Sequence, residues 1–88
     1  MEIAFSVPFK RAFKKRVEGR ADLESKFWQR AEIFTQNPHE PRLRTHRLSG
    51  ALREMWSFTV QHDLRVVFFF TDARQAVFVD IGRHEEVY

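Results

Sequence analysis

Residues 2–7 alternate Ile3, Phe5 and Val7 with Glu2, Ala4 and Ser6, the period of two expected of a strand with one buried face. Pro8 then predicts a helix start, because a proline in the first turn forfeits no hydrogen bond, and Ser6 or Val7 stands at the cap. Phe9, Ala12, Phe13 and Val17 follow at helical spacing, with Lys10, Arg11, Lys14 and Lys15 filling the opposite face. Gly19 closes this helix. Asp22 is the expected cap of a second, whose apolar stripe is Leu23, Phe27, Ala31 and Phe34, and Asn37-Pro38 ends it.

After the loop NPHEP the period becomes extended. Residues 44–48 read as a short strand and Ser49-Gly50 as a turn. Residues 53–61 alternate, with Trp56, Phe58 and Val60 on one side. Residues 64–70 are β-branched and aromatic throughout, the mark of a central strand buried on both faces. Residues 71–74 form a hairpin loop and residues 76–81 the final strand. The order is β-α-α-β-β-β. It predicts an α+β fold, an antiparallel sheet with an N-terminal helical hairpin packed on one face, and a single domain over residues 1–88.

Composition narrows the function. A hydrophobic fraction of 43% with ten Phe and two Trp is ample for a folded core, so resting disorder is not expected. No apolar run approaches the roughly 20 residues that span a bilayer, and residues 1–7 lack the basic start and long apolar run of a secretory signal. With no cysteine there is no disulfide framework and no thiolate nucleophile, which fits a reducing cytoplasm. The four histidines show no HxH or HExxH spacing, so neither a metal nor another cofactor is expected. Net charge is +3, and eleven of the fifteen cations are Arg. Arginine grips phosphate through two donors and stacks on bases, so the expected partner is a nucleic acid or an acidic protein.

The chemistry-bearing residues gather in the last third of the chain. His46, Arg53, His62, Arg65, Arg83, His84 and Tyr88 lie on or beside short apolar segments. Imidazole titrates near neutral pH and guanidinium stabilises phosphate, the equipment needed to cleave RNA without a metal. Structural readings stand beside the functional ones. Arg65 would pair with Asp63 in the sheet, His46 would serve a strand edge, His84 would sit on the surface, and His62, by alternation, would be solvated. Trp28 and Trp56 would be core or interface residues rather than base platforms.

Five segments carry a family resemblance: FKRAFKK, NPHEP followed by RLRTHRLSG, WSF, HDLRVVFF and IGRHEEVY. In this order they resemble the RelE/ParE superfamily of toxins from toxin–antitoxin modules, closest to the RelE/YafQ-like mRNA interferase branch. The resemblance covers almost the whole chain and implies the fold read from periodicity. It also implies a type II toxin that cuts mRNA on the ribosome and is blocked by a cognate antitoxin. In the ParE branch the implied activity is instead inhibition of gyrase without cleavage.

Residue by residue, the resemblance makes His84 the general acid and Arg65 the phosphate clamp. His46, in H-x-L-x-G, becomes the general base, with Asp63 the alternative. Tyr88 stacks on a base or assists proton transfer, while Arg83 and Arg53, by charge rather than by the resemblance, would supply further phosphate contacts. Lys10, Arg11, Lys14 and Lys15 would grip ribosomal RNA. The chain departs from the pattern in three places. Leu64 replaces the aromatic after Asp63, Thr59 falls where a second histidine is expected, and Asp80 stands where related toxins carry an arginine.

Overall fold

The change of period at the NPHEP loop is also a change of layer. The computed structural model of the chain, which describes residues 1–52 and 54–88, begins with strand β1 (Glu2–Phe5) and helices α1 (Val7–Arg16) and α2 (Ala21–Gln36). Four strands follow: β2 (His46–Arg47), β3 (Trp56–Gln61), β4 (Leu64–Asp72) and β5 (Gln75–Gly82), then a short helix α3 (His84–Val87). The sheet order is β1-β5-β4-β3-β2, so β4 is central as its composition required. This is the expected α+β architecture, with both long helices preceding the main strands.

The short strand expected over residues 44–48 is present as the two-residue β2, which makes five strands. One detail of the predicted sheet is corrected: β1 lies parallel to β5, with Glu2 opposite Gln75 and Phe5 opposite Phe78. The parallel edge follows from the connectivity. Parallel neighbours need a crossover rather than a hairpin, and the helices and β2–β4 lie between β1 and β5 in the chain to supply it. The remaining neighbours are antiparallel.

Ser6 caps α1, its hydroxyl accepting from the Phe9 amide at 3.1 Å. Asp22 does not cap α2. The helix starts after Arg20, and Asp22 and Glu24 lie in the first turn, where carboxylates complement the helix's positive end. Glu24 also accepts from the Gly19 amide at 3.1 Å. Local spacing located both helices, whereas the cap depended on how the chain enters α2.

The helices cover one face of the sheet. Phe9, Phe27 and Phe34 from the helices meet Phe58, Phe68 and Phe78 from β3, β4 and β5, all buried. Phe78 is the hub, its ring 5.3–6.0 Å from those of Phe9, Phe34, Phe58 and Phe68. Edge-to-face geometry dominates, the arrangement that aromatic quadrupoles favour. Val17, Ala31, Leu43, Val60, Leu64, Val66, Ala76 and Ile81 complete this cluster. Among the described residues, no helix is long and apolar enough to cross a membrane.

Candidate active site

Strand alternation sends every second residue to the other face of the sheet, and there the polar side chains collect. Register puts His46 opposite Ser57 and Ser57 opposite Val67, while Thr59 lies opposite Arg65 and Arg65 opposite Gly82. Directly opposed residues have Cβ atoms about 4.5–5.5 Å apart. His46, Ser57, Thr59 and Arg65, scattered over twenty positions of sequence, therefore share one surface.

The chain then folds back over that surface. After Gly82, α3 begins with His84, and four residues on, Tyr88 lies on the same side of the turn. Their rings meet edge to face at 4.6 Å. The Tyr88 hydroxyl donates to the Ser57 hydroxyl at 2.5 Å, which satisfies a serine that is fully buried. The Arg65 guanidinium stands 5.9 Å from the Tyr88 ring centroid, within cation–π range.

Asp63, in the turn between β3 and β4, joins the two halves. One carboxylate oxygen accepts from the His84 amide at 3.4 Å, and the other lies 3.9 Å from Arg65 Nε. The expected Arg65–Asp63 pairing is therefore present, but 3.9 Å is too long for a hydrogen bond. Arg65 Nε is buried without a hydrogen-bond acceptor. The nearby Asp63 carboxylate offsets this buried charge without bonding it.

His46 is exposed on the edge strand, and its Nδ1 lies 3.0 Å from the Arg44 carbonyl oxygen. A carbonyl only accepts, so Nδ1 carries the proton and the lone pair of the neutral ring is at Nε2. Arg44 takes a left-handed conformation, φ 53°, at the turn just before β2.

Other candidates lie elsewhere. Arg83 is exposed at the start of α3 and lines an open groove of about 600 Å³ with Lys15, Arg20, His62 and Asp63. This groove meets the polar face at Asp63, and its cations are interleaved with Asp22 and Glu85. Lys10, Arg11 and Lys14 are exposed on α1. Arg53 lies outside the described residues. Leu64, which replaces an expected aromatic, packs into the helix-side core. Among the described residues, no cluster of three His, Asp or Glu is arranged to hold a metal.

Sequence reading missed Ser57, Arg16 and Glu86. The signal for Ser57 was present: a small polar residue between Trp56 and Phe58 in a strand, followed on the same face by Thr59. Arg16 and Glu86 carried no signal, since they meet across seventy residues of chain.

No family model and no curated protein matches the sequence. Solved structures do. The toxin YafQ from E. coli aligns with a TM-score of 0.81 at 18% identity, over 99% of this chain and 97% of that one. YafQ in the E. coli DinJ–YafQ toxin–antitoxin complex gives 0.79 at 18% identity, over 99% and 96%. The YoeB–YefM complex from Staphylococcus aureus gives 0.76 at 18% identity, over 96% and 97%. The helical hairpin, the mixed sheet and the polar face beneath the C-terminal turn are thus set on the fold of the RelE/ParE-type toxins, as the motifs implied.

Proposed function

We propose that the chain is the toxin of a type II toxin–antitoxin module and acts in the cytoplasm as a ribosome-dependent mRNA endoribonuclease without a metal. The observation that carries this reading is the chain of contacts from His84 to Tyr88, Arg65 and the turn residue Asp63, beside the sheet face that also bears His46. In the proposed reaction His46 Nε2 removes the proton from a ribose 2′-hydroxyl, and the oxygen attacks the adjacent phosphorus. Arg65, assisted by Arg83, neutralises the crowded phosphorane, and His84 protonates the departing 5′-oxygen. Asp63 serves better as the group that orients Arg65 and the His84 backbone than as the base, because both its oxygens already face donors. Tyr88 offers a ring for base stacking beside His84.

The basic face of α1 supports anchoring on ribosomal RNA, where phosphate is dense. The ribosome would supply the geometry that a small protein cannot, holding mRNA extended with its 2′-hydroxyl in line. An acidic, partly disordered segment of the antitoxin would fold on the Arg-rich surface and block it. Primer extension on mRNA after induction tests the proposal: cuts within ribosome-occupied codons are expected, and purified protein should cut naked mRNA poorly. Growth arrest with an SOS response and intact mRNA would replace this reading with the gyrase-inhibiting one.

A further inference from the structure

We propose that Arg16, on α1 and distant in sequence from every candidate catalytic group, is a positioning residue that locks α3 to the open edge of β5 and thereby holds His84 and Tyr88 over the sheet. The inference rests on the reading of His84 as general acid.

β1 pairs with β5 only as far as Phe78, and the last bond of that edge is from the Ser6 amide to the Phe78 carbonyl at 3.1 Å. Further along β5, two side chains serve the backbone of Ile81. Asp80 Oδ1 accepts from the Ile81 amide at 2.9 Å, and Arg16 Nη1 donates to the Ile81 carbonyl at 2.9 Å. The same Arg16 nitrogen reaches Asp80 Oδ1 at 3.1 Å. An ion pair stands where a longer β1 would have continued, satisfying an otherwise open edge.

The guanidinium also turns toward α3. Arg16 Nε lies 3.6 Å from Glu86 Oε2, and Glu86 Oε1 accepts from the Arg83 amide at 2.7 Å, the first backbone group of the α3 cap. Arg16 Nε is buried without a hydrogen bond, so Glu86 is the charge that compensates it. Gly82 makes the approach possible. A Cβ there would lie 2.7 Å from Arg16 Nη1 and 2.9 Å from Glu86 Oε1. One planar fork thus joins the end of α1, the end of β5 and the start of α3, a task that a lysine point charge cannot copy.

A helix of four residues does not hold itself, because nucleation costs more than its few hydrogen bonds return. Its placement must come from outside: the Tyr88–Ser57 bond at one end, and at the other the Arg16–Glu86 pair together with the longer bond from the His84 amide to Asp63. A misplacement of about 1 Å in a reacting group can cost about 10²-fold in rate, so the pin at the His84 end bears directly on the chemistry.

The test compares purified wild-type protein with Arg16→Gln, Arg16→Lys and Glu86→Gln. In Arg16→Gln the amides of Glu86, Val87 and Tyr88 are expected to exchange at least about tenfold faster, with β4 amides unchanged. On ribosome-bound mRNA its kcat should fall about 10²-fold while KM stays within about twofold, and Arg16→Lys should fall between. Glu86→Gln leaves the β5 edge pair intact, so it reads the same effect if Arg16→Gln fails to fold. Wild-type exchange at α3 in both Arg16→Gln and Glu86→Gln, or a loss carried by KM alone, would overturn the proposal. If wild-type protein cuts no RNA, the nuclease reading fails by itself, and the exchange measurement still decides the role of Arg16.

Discussion

The two faces of this sheet are built on opposite principles. On the helix side, six phenylalanines interlock with no polar atom among them, and the strands supply every second residue to one apolar cluster. On the other side, serine, threonine, arginine and histidine line up in register, roofed by one short helix. The helix side is apolar at its centre, its one unbonded buried donor, Arg16 Nε, lying at the rim beside Glu86 among the described residues. The polar side is under-satisfied, with buried Arg65 Nε lacking an acceptor and Asp63 just beyond hydrogen-bond reach. The comparison predicts that stability and activity will separate by face.

The largest effect should come from the helix side. Phe78→Ala removes the ring at the centre of the aromatic cluster and should cost about 3–5 kcal/mol, a large share of the stability of a small domain. Urea denaturation reads this directly. A loss below about 1.5 kcal/mol would mean that the cluster collapses around the gap and that the face is less rigid than its packing implies.

On the polar side, His84→Ala and Arg65→Ala should do the reverse. Each is expected to lower cleavage about 10²-fold or more and to abolish growth inhibition, while antitoxin binding persists. Full toxicity of both variants at equal expression would sink the catalytic assignment. A collapse in stability as large as that of Phe78→Ala would erase the contrast between faces.

The Tyr88–Ser57 bond sharpens the comparison, because it ties α3 down onto a buried group of the polar face. Tyr88→Phe keeps the ring beside His84 and Arg65 but leaves the buried Ser57 hydroxyl without this partner, a cost of about 1–3 kcal/mol. Removing both hydroxyls, in Tyr88→Phe with Ser57→Ala, should recover much of that loss. A double-mutant cycle with no coupling would show that the bond does not hold α3.

Smaller effects belong to the exposed surface. Reversing Lys10 and Lys14 to Glu should change stability by no more than about 0.5 kcal/mol, yet weaken ribosome binding and flatten its salt dependence. Unchanged affinity would remove α1 from the proposed ribosome contact. Smallest of all is Glu40, whose carboxyl is held below its usual range by the hydrogen bond from the Arg42 side chain. A depressed carboxylate favours the fold above its unfolded pKa and loses that contribution as pH falls through the folded value. At so exposed a site the contribution is slight. NMR titration should find Glu40 below the other glutamates, and Arg42→Ala should raise it toward them.

The helix side was legible because its code is local. Phe9, Phe13 and Val17 repeat at helical spacing, and Phe58 and Val60 alternate, so burial could be read one element at a time. The misreadings lie where two elements meet: Asp22 as a cap, an all-antiparallel sheet, and a final segment with no helix after Gly82. Each depends on where the chain arrives from, which a window of sequence does not contain.

The candidate site divides along the same line. Residue type and motif alone singled out His46, Asp63, Arg65, His84 and Tyr88 as chemical groups worth placing. Only the folded chain decided which of them meet. The His46 tautomer is set by the Arg44 carbonyl, Tyr88 by a buried serine on β3, and α3 by an arginine on α1. The sequence by itself determined two layers and a list of reactive side chains, because periodicity and residue chemistry are properties of neighbours along the chain. The return of the tail over β3 and β4 and the meeting of Arg16 with Glu86 were decided by tertiary structure. They arise from contacts between residues twenty to seventy positions apart, where no local preference operates.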